Sequence, residues 1–121
     1  MATFQAETTS SGTRGRAIAS IRTNHFVVDD SAGAAEGPGE APSAAELFLS
    51  GVTACAVLMI ERLARADALP LAHVHAHMSA SREPDTARDG IAVFEQARLT
   101  LTLAGLTREQ AGQLVETFKG R

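Results

Sequence analysis

The chain has 121 residues, 45% of them hydrophobic, a formal net charge of -3 at neutral pH and a single cysteine. That length builds one domain, residues 1–121, around one core. The acidic balance, without clustered Lys or Arg, excludes a nucleic-acid footprint, and one cysteine excludes an intramolecular disulfide.

Trp and Tyr are absent and Phe occurs five times, so the core must be built from Leu, Val, Ala and Ile. Residues 1–13 are polar and rich in Thr and Ser, with no strong period and no basic region followed by an apolar stretch. No signal peptide is expected there, and the cytoplasm is the expected compartment. A first strand begins near Arg16, with Ala17, Ala19 and Ile21 on one face and Ile18 and Ser20 on the other. Thr23-Asn24 supplies turn chemistry, and His25 to Asp29 reads as a second strand, so the two form a hairpin. Asp30 to Pro42 is rich in Gly, Pro and Ala. It is a loop by composition, long enough to suggest a functional or interface role.

Ser43-Ala44-Ala45-Glu46 is a capping box, and predicts a helix from Ala44 to about Ala66. The run Leu47 to Ile60 carries no charge and is apolar on every side. It is too short to span a bilayer and predicts a buried central helix. Beyond Pro70, Val74, Ala76 and Met78 alternate with His73, His75 and His77, as on a strand with one face inward. Arg82 to Gly90 is charged and reads as a surface loop. Ile91 to Leu103 is a further strand, with Leu99, Leu101 and Leu103 inward. Gly105 ends it, and Thr107-Arg108-Glu109-Gln110 is a second capping box that opens a helix with Ala111, Leu114, Val115 and Phe118 toward the core. The order is β-β-α-β-β-α, an α+β domain without internal repeats.

Cys55 is the one candidate nucleophile. A thiol with an ordinary pKa near 8.5 is mostly protonated at neutral pH, so reactivity requires a nearby cation. Cys55 sits about three turns into its helix, beyond the useful range of the helix dipole. Arg14 and Arg16 are the candidate cations; solvated surface charge is the alternative reading. A buried cysteine acting only as a small hydrophobe is the alternative for Cys55. Glu46 is a candidate polar partner, but its place in the capping box accounts for it. On one continuous helix it lies about 13 Å along the axis from Cys55, on the opposite face. His73, His75 and His77 share a strand face at a spacing of about 6.5–7 Å, so three imidazoles converge poorly on one ion, and no structural metal is expected. His25, in the hairpin, is expected to be structural. Nucleotide, serine-hydrolase and zinc-protease motifs are absent, and no cofactor is expected.

The segment Ala41-Pro42-Ser43-Ala44-Ala45-Glu46-Leu47-Phe48-Leu49, followed by Val52-Thr53-Ala54-Cys55, resembles the hallmark of the OsmC/Ohr family. His25 to Asp30 with the Gly-rich loop after it, and Leu69-Pro70-Leu71 before an alternating strand, are similar to the same family. The resemblance implies a two-layer OsmC-like fold and an intertwined homodimer with active sites at the subunit interface. It implies reduction of organic hydroperoxides by a cysteine pair. One cysteine is oxidised to sulfenic acid, and a second condenses with it to a disulfide that a thiol or a dithiol such as a lipoyl group reduces. It also implies an Arg and a Glu assisting the first cysteine. Three departures stand against this pattern. The second cysteine, in a Cys-Pro pair beyond a segment like Leu114 to Arg121, is absent, so a shortened C-terminus is expected. Ala45 holds the family's Glu position, one residue before Glu46. In Gly12-Thr13-Arg14-Gly15-Arg16, Thr13 stands near the Arg position. The alternative to a peroxide reductase is a non-catalytic binder of an apolar small molecule, or an oxidant sensor working through Cys55. A structural or partner-binding domain with an inert cysteine is the third reading.

Overall fold

The computed structural model describes residues 1–30, 37–81 and 95–120. The chain divides into two compact units, Met1–Phe48 and Leu49–Arg121.

The first unit is an antiparallel sheet of β1 (Glu7–Ser10), β2 (Arg16–Ile21) and β3 (Asn24–Asp29), in that spatial order. The β2–β3 turn is Arg22-Thr23, one residue earlier than the sequence suggests, and Ile21 pairs with Asn24. Arg22 takes a φ of 56°, and the Asn24 side-chain amide donates to the Ile21 carbonyl at 3.1 Å. The Asn is therefore turn chemistry acting from the first strand position, not from within the turn. β1 was not expected. Its four residues are all exposed, so no apolar alternation marks it, and pairing with β2 alone makes it a strand. Between β1 and β2, Gly12 and Gly15 adopt φ values of 91° and 73°, a left-handed conformation open to glycine at no steric cost.

The second unit holds most of α1 (Ala44–Ala66), the antiparallel pair β4 (His73–Ser81) and β5 (Gln96–Ala104), and α2 (Arg108–Lys119). Both helix starts follow the sequence. Ser43 Oγ accepts from the Glu46 amide at 3.2 Å, and Glu46 Oε1 accepts from the Ser43 amide at 2.9 Å. Thr107 and Gln110 form the same reciprocal pair. Ile60 and Ala64 of α1, Val74 of β4 and Leu114 of α2 make the core, flanked by Val57, Leu63, Leu101, Leu103 and Phe118 among others. The alternation in β4 and β5 is as expected: Val74, Ala76 and Met78 turn inward against Leu103, Leu101 and Leu99, with the histidines outward. Gly105, at φ 95°, returns the chain toward α2. A Cβ there would lie 2.6 Å from the Pro70 carbonyl oxygen.

The helix buried on every side is corrected. In α1 only Ala56, Ile60 and Ala64 are buried, a stripe at i, i+4 and i+8 that meets the core. Cys55 is exposed and Leu58 is 62% exposed. Among the described residues Gly51, Ala54, Cys55 and Leu58 leave the opposite side of α1 exposed. Among the described residues α1 is the one helix long and apolar enough to cross a membrane by length and composition. A core helix meets the same criterion, and the Ile60–Ala64 stripe of α1 packs with Val74 and Leu114. The order matches expectation from β2 onward. Residues 31–36 of the predicted loop, the predicted surface loop 82–90 and the first residues of the predicted strand, 91–94, lie outside the described residues.

Candidate functional site

In the second unit the candidate centre is Cys55, a free and exposed thiol midway along α1. The residue after it, Ala56, is buried at 1% exposure. Cys55 therefore borders the packed stripe on the open side of the helix, with exposed Gly51, Ala54 and Leu58 within one turn of it. An exposed thiol meets the first requirement of oxidant chemistry, which is access.

The other predicted site residues belong to the first unit. Arg16 is not a solvated decoration. Its Nε donates to Asp29 Oδ1 at 2.7 Å and its Nη2 to Asp29 Oδ2 at 2.8 Å, a bidentate pair across directly opposed positions of β2 and β3. Nη2 also reaches Glu40 Oε1 at 3.3 Å. Asp29 has no exposed surface. Its Oδ2 also accepts from the backbone amides of Glu40 and Ala41, each at 3.0 Å, and its own amide donates to the Pro42 carbonyl at 3.0 Å. The carboxylate thus fastens the segment just before α1 to the hairpin. The Arg16 hydrogen bonds, opposed by burial and assisted by the two amides, lower the Asp29 carboxyl from its ordinary 3.8 to about 2. The same pair raises the Arg16 guanidinium above its ordinary value. Neither Asp29 nor Glu40 is marked by sequence motif. The available signal is hairpin symmetry: Arg16 and Asp29 are equally distant from the Arg22-Thr23 turn.

Glu46 is held by Ser43, first through the Ser43 amide and then through its hydroxyl, and these bonds lower its carboxyl pKa. It is a helix cap. Arg14 lies in the β1–β2 turn and lines an open hollow of about 890 Å³ on the Ala17, Ala19, Ile21, Phe26 and Val28 face of the sheet. Ala44 and Leu47 close one side of it. Its floor is apolar and its rim polar, the build of a surface that takes an apolar molecule or another apolar protein face. On the opposite sheet face Ser20 Oγ and His25 Nδ1 lie 2.8 Å apart, which ties His25 to its neighbouring strand. Among the described residues no three His, Cys, Asp or Glu side chains gather as a metal centre.

The family model described as "OsmC-like protein" matches residues 37–121 of the chain, a span that includes the cap, Cys55 and the whole second unit. Among solved structures, the chain is similar to an OsmC-like protein from Mycoplasma pneumoniae at a TM-score of 0.83 and 12% identity, covering 99% of this chain and 82% of that one. It is also similar to a Vibrio cholerae structure described as an organic hydroperoxide resistance protein with captopril bound in one of its active sites. That match has a TM-score of 0.58 and 24% identity, over 97% of this chain and 79% of that one. Among curated proteins none matches the chain.

Proposed function

Because the chain belongs to the OsmC-like protein family, we propose that it reduces organic hydroperoxides at Cys55 and uses an external thiol to complete the cycle. The observation that carries this reading is the exposure of Cys55 on α1 within the family-matched segment. The likeness of fold to a protein described as conferring organic hydroperoxide resistance supports the substrate class.

The sequence of 121 residues contains no second cysteine, so the reaction is written with one. The Cys55 thiolate attacks the terminal oxygen of ROOH, the O–O bond breaks, and the alkoxide leaves and takes a proton as ROH. Cys55 is then a sulfenic acid. A small thiol condenses with it, releasing water and forming a mixed disulfide. A second thiol, or the second sulfur of a dithiol, attacks that disulfide and returns Cys55 as thiol. The sum is ROOH and two thiols converted to ROH, water and one disulfide. Arg14 and Arg16 are proposed as the candidate cations for the thiolate, in line with the assisting Arg that the family resemblance implies, and Arg16 is also bound to Asp29 and Glu40. The work of Glu46 is assigned to the cap. The protein is proposed to act as a cytoplasmic homodimer.

Turnover of cumene hydroperoxide with a dithiol, followed by loss of peroxide, tests the reading. Reaction of Cys55 no faster than that of free cysteine would overturn it. The apolar hollow of the first unit favours a second reading, a binder of apolar small molecules or an oxidant sensor. Stoichiometric oxidation of Cys55 without turnover, seen by mass spectrometry, would select the sensor.

A further inference from the structure

β4 carries His73, His75 and His77 on its outward face, and all three are exposed. Antiparallel pairing places Ala104, Thr102 and Thr100 directly across from them on β5. The inward residues Val74, Ala76 and Met78 pack toward the core side, so the strand beneath the imidazoles is anchored. The strand cation Arg98 faces Ser79, one outward position beyond His77.

We infer that these histidines form two overlapping two-imidazole sites for a first-row transition-metal ion, His73 with His75 and His75 with His77, sharing His75. Two nitrogens on one ion stand about 3 Å apart when each bond is about 2.0–2.1 Å. Outward neighbours on a strand start about 6.5–7 Å apart, so each ring leans toward the other by about 2 Å, within its reach. The outer pair starts about 13 Å apart and would need a lean of about 5 Å each, beyond what an imidazole spans from its Cβ. Three histidines therefore do not make one three-ligand centre. The small side chains across the ladder leave space for the tilt, and water completes the coordination. Neutral imidazole pairs suit copper and nickel before zinc, so divalent copper is the strongest expected ligand.

The sharing of His75 makes the inference testable on the full chain carrying Cys55→Ser, which removes the competing thiol. Calorimetric titration with Cu²⁺ should give one ion per chain. His75→Ala should weaken binding by about tenfold or more, because it leaves two isolated imidazoles and no chelate. His73→Ala and His77→Ala should each weaken it only about twofold, the statistical loss of one of two equivalent pairs. The double variant His73→Ala/His77→Ala should match His75→Ala, which keeps the test open if the central variant folds poorly. Equal large losses from all three single variants would indicate a three-ligand centre and overturn the proposal. So would unchanged binding in His75→Ala, or a large loss in His25→Ala.

Discussion

Arg16 and Asp29 face each other across β2 and β3, and the guanidinium grips both oxygens of a carboxylate that has no exposed surface. That carboxylate also collects the amides of Glu40 and Ala41. One buried side chain therefore joins a strand, its neighbour and the segment leading into α1. A buried charge is tolerable because every polar contact is met; removing one partner exposes the full desolvation cost.

Asp29→Asn keeps an oxygen for the amides but leaves Arg16 with only the exposed Glu40 carboxylate as counter-charge. Its Tm at neutral pH should fall by on the order of 10 °C. The pH dependence has a definite sign. The folded-state pKa, about 2, lies below the ordinary 3.8, so the pair's stabilisation is complete above pH 4 and is lost as pH falls through 4 to 2. Thermal unfolding followed by circular dichroism from pH 7 to 2 should show a decline in that window for the native chain and a flatter curve for Asp29→Asn. Equal slopes would remove the clamp from the stability account.

Much of the second unit was legible in the sequence because its signals are local. The capping box at Thr107 marks a helix start, as the Ser43 box does for α1 at the end of the first unit, and alternation in β4 and β5 reports which side chains face the core. The first unit was less legible. β1 exposes every residue and carries no burial pattern. The Arg16–Asp29 pair depends on register, and displacing the turn by one residue moves every partner by two, so placing the turn at Thr23-Asn24 hides it. The exposure of Cys55 was missed for a different reason. Apolar residues all around a helix report that its faces need cover, and not whether the same chain supplies it.

The α1 cap should matter to stability more than to chemistry. Ser43→Ala removes the acceptor of the Glu46 amide and should cost about 0.5–2 kcal/mol. Glu46→Gln should cost less, since an amide oxygen still accepts from the Ser43 amide. In peroxide assays Glu46→Gln should retain a near-native rate. A large loss of rate with unchanged Tm would restore Glu46 to the catalytic group.

The proposed assembly rests on the side of α1 that is exposed among the described residues. Gly51, Ala54, Cys55 and Leu58 are exposed on α1, and the buried apolar residues among those described are six, few for a chain of this length. Light scattering should give twice the 12.6 kDa chain mass, through an interface of roughly 2,000 Å² or more. Leu58→Glu should lower the dimer fraction. A clean monomer at micromolar concentration would refute the assembly.

The single cysteine makes the sharpest demand. With one cysteine among these 121 residues, a cycle run by Cys55 alone is resolved by an external thiol, so peroxide consumption should scale with added thiol and stop after about one equivalent without it. Under excess hydroperoxide and limiting thiol, mass spectrometry should find Cys55 as a mixed disulfide or in higher oxidation states. Cys55→Ser should abolish all of these signals while leaving Tm within a few degrees, because the side chain is exposed. If Arg14 stabilises the thiolate, Arg14→Ala should slow the first step by about tenfold to a hundredfold, equivalent to about 1–3 kcal/mol. Arg16→Ala, by contrast, should lower Tm sharply, since it strands Asp29. Stopped-flow rates with cumene hydroperoxide across pH separate the two arginines. A rate that is unchanged by Arg14→Ala at every pH would assign thiolate stabilisation elsewhere, and thiol-independent turnover would rule out the one-cysteine cycle.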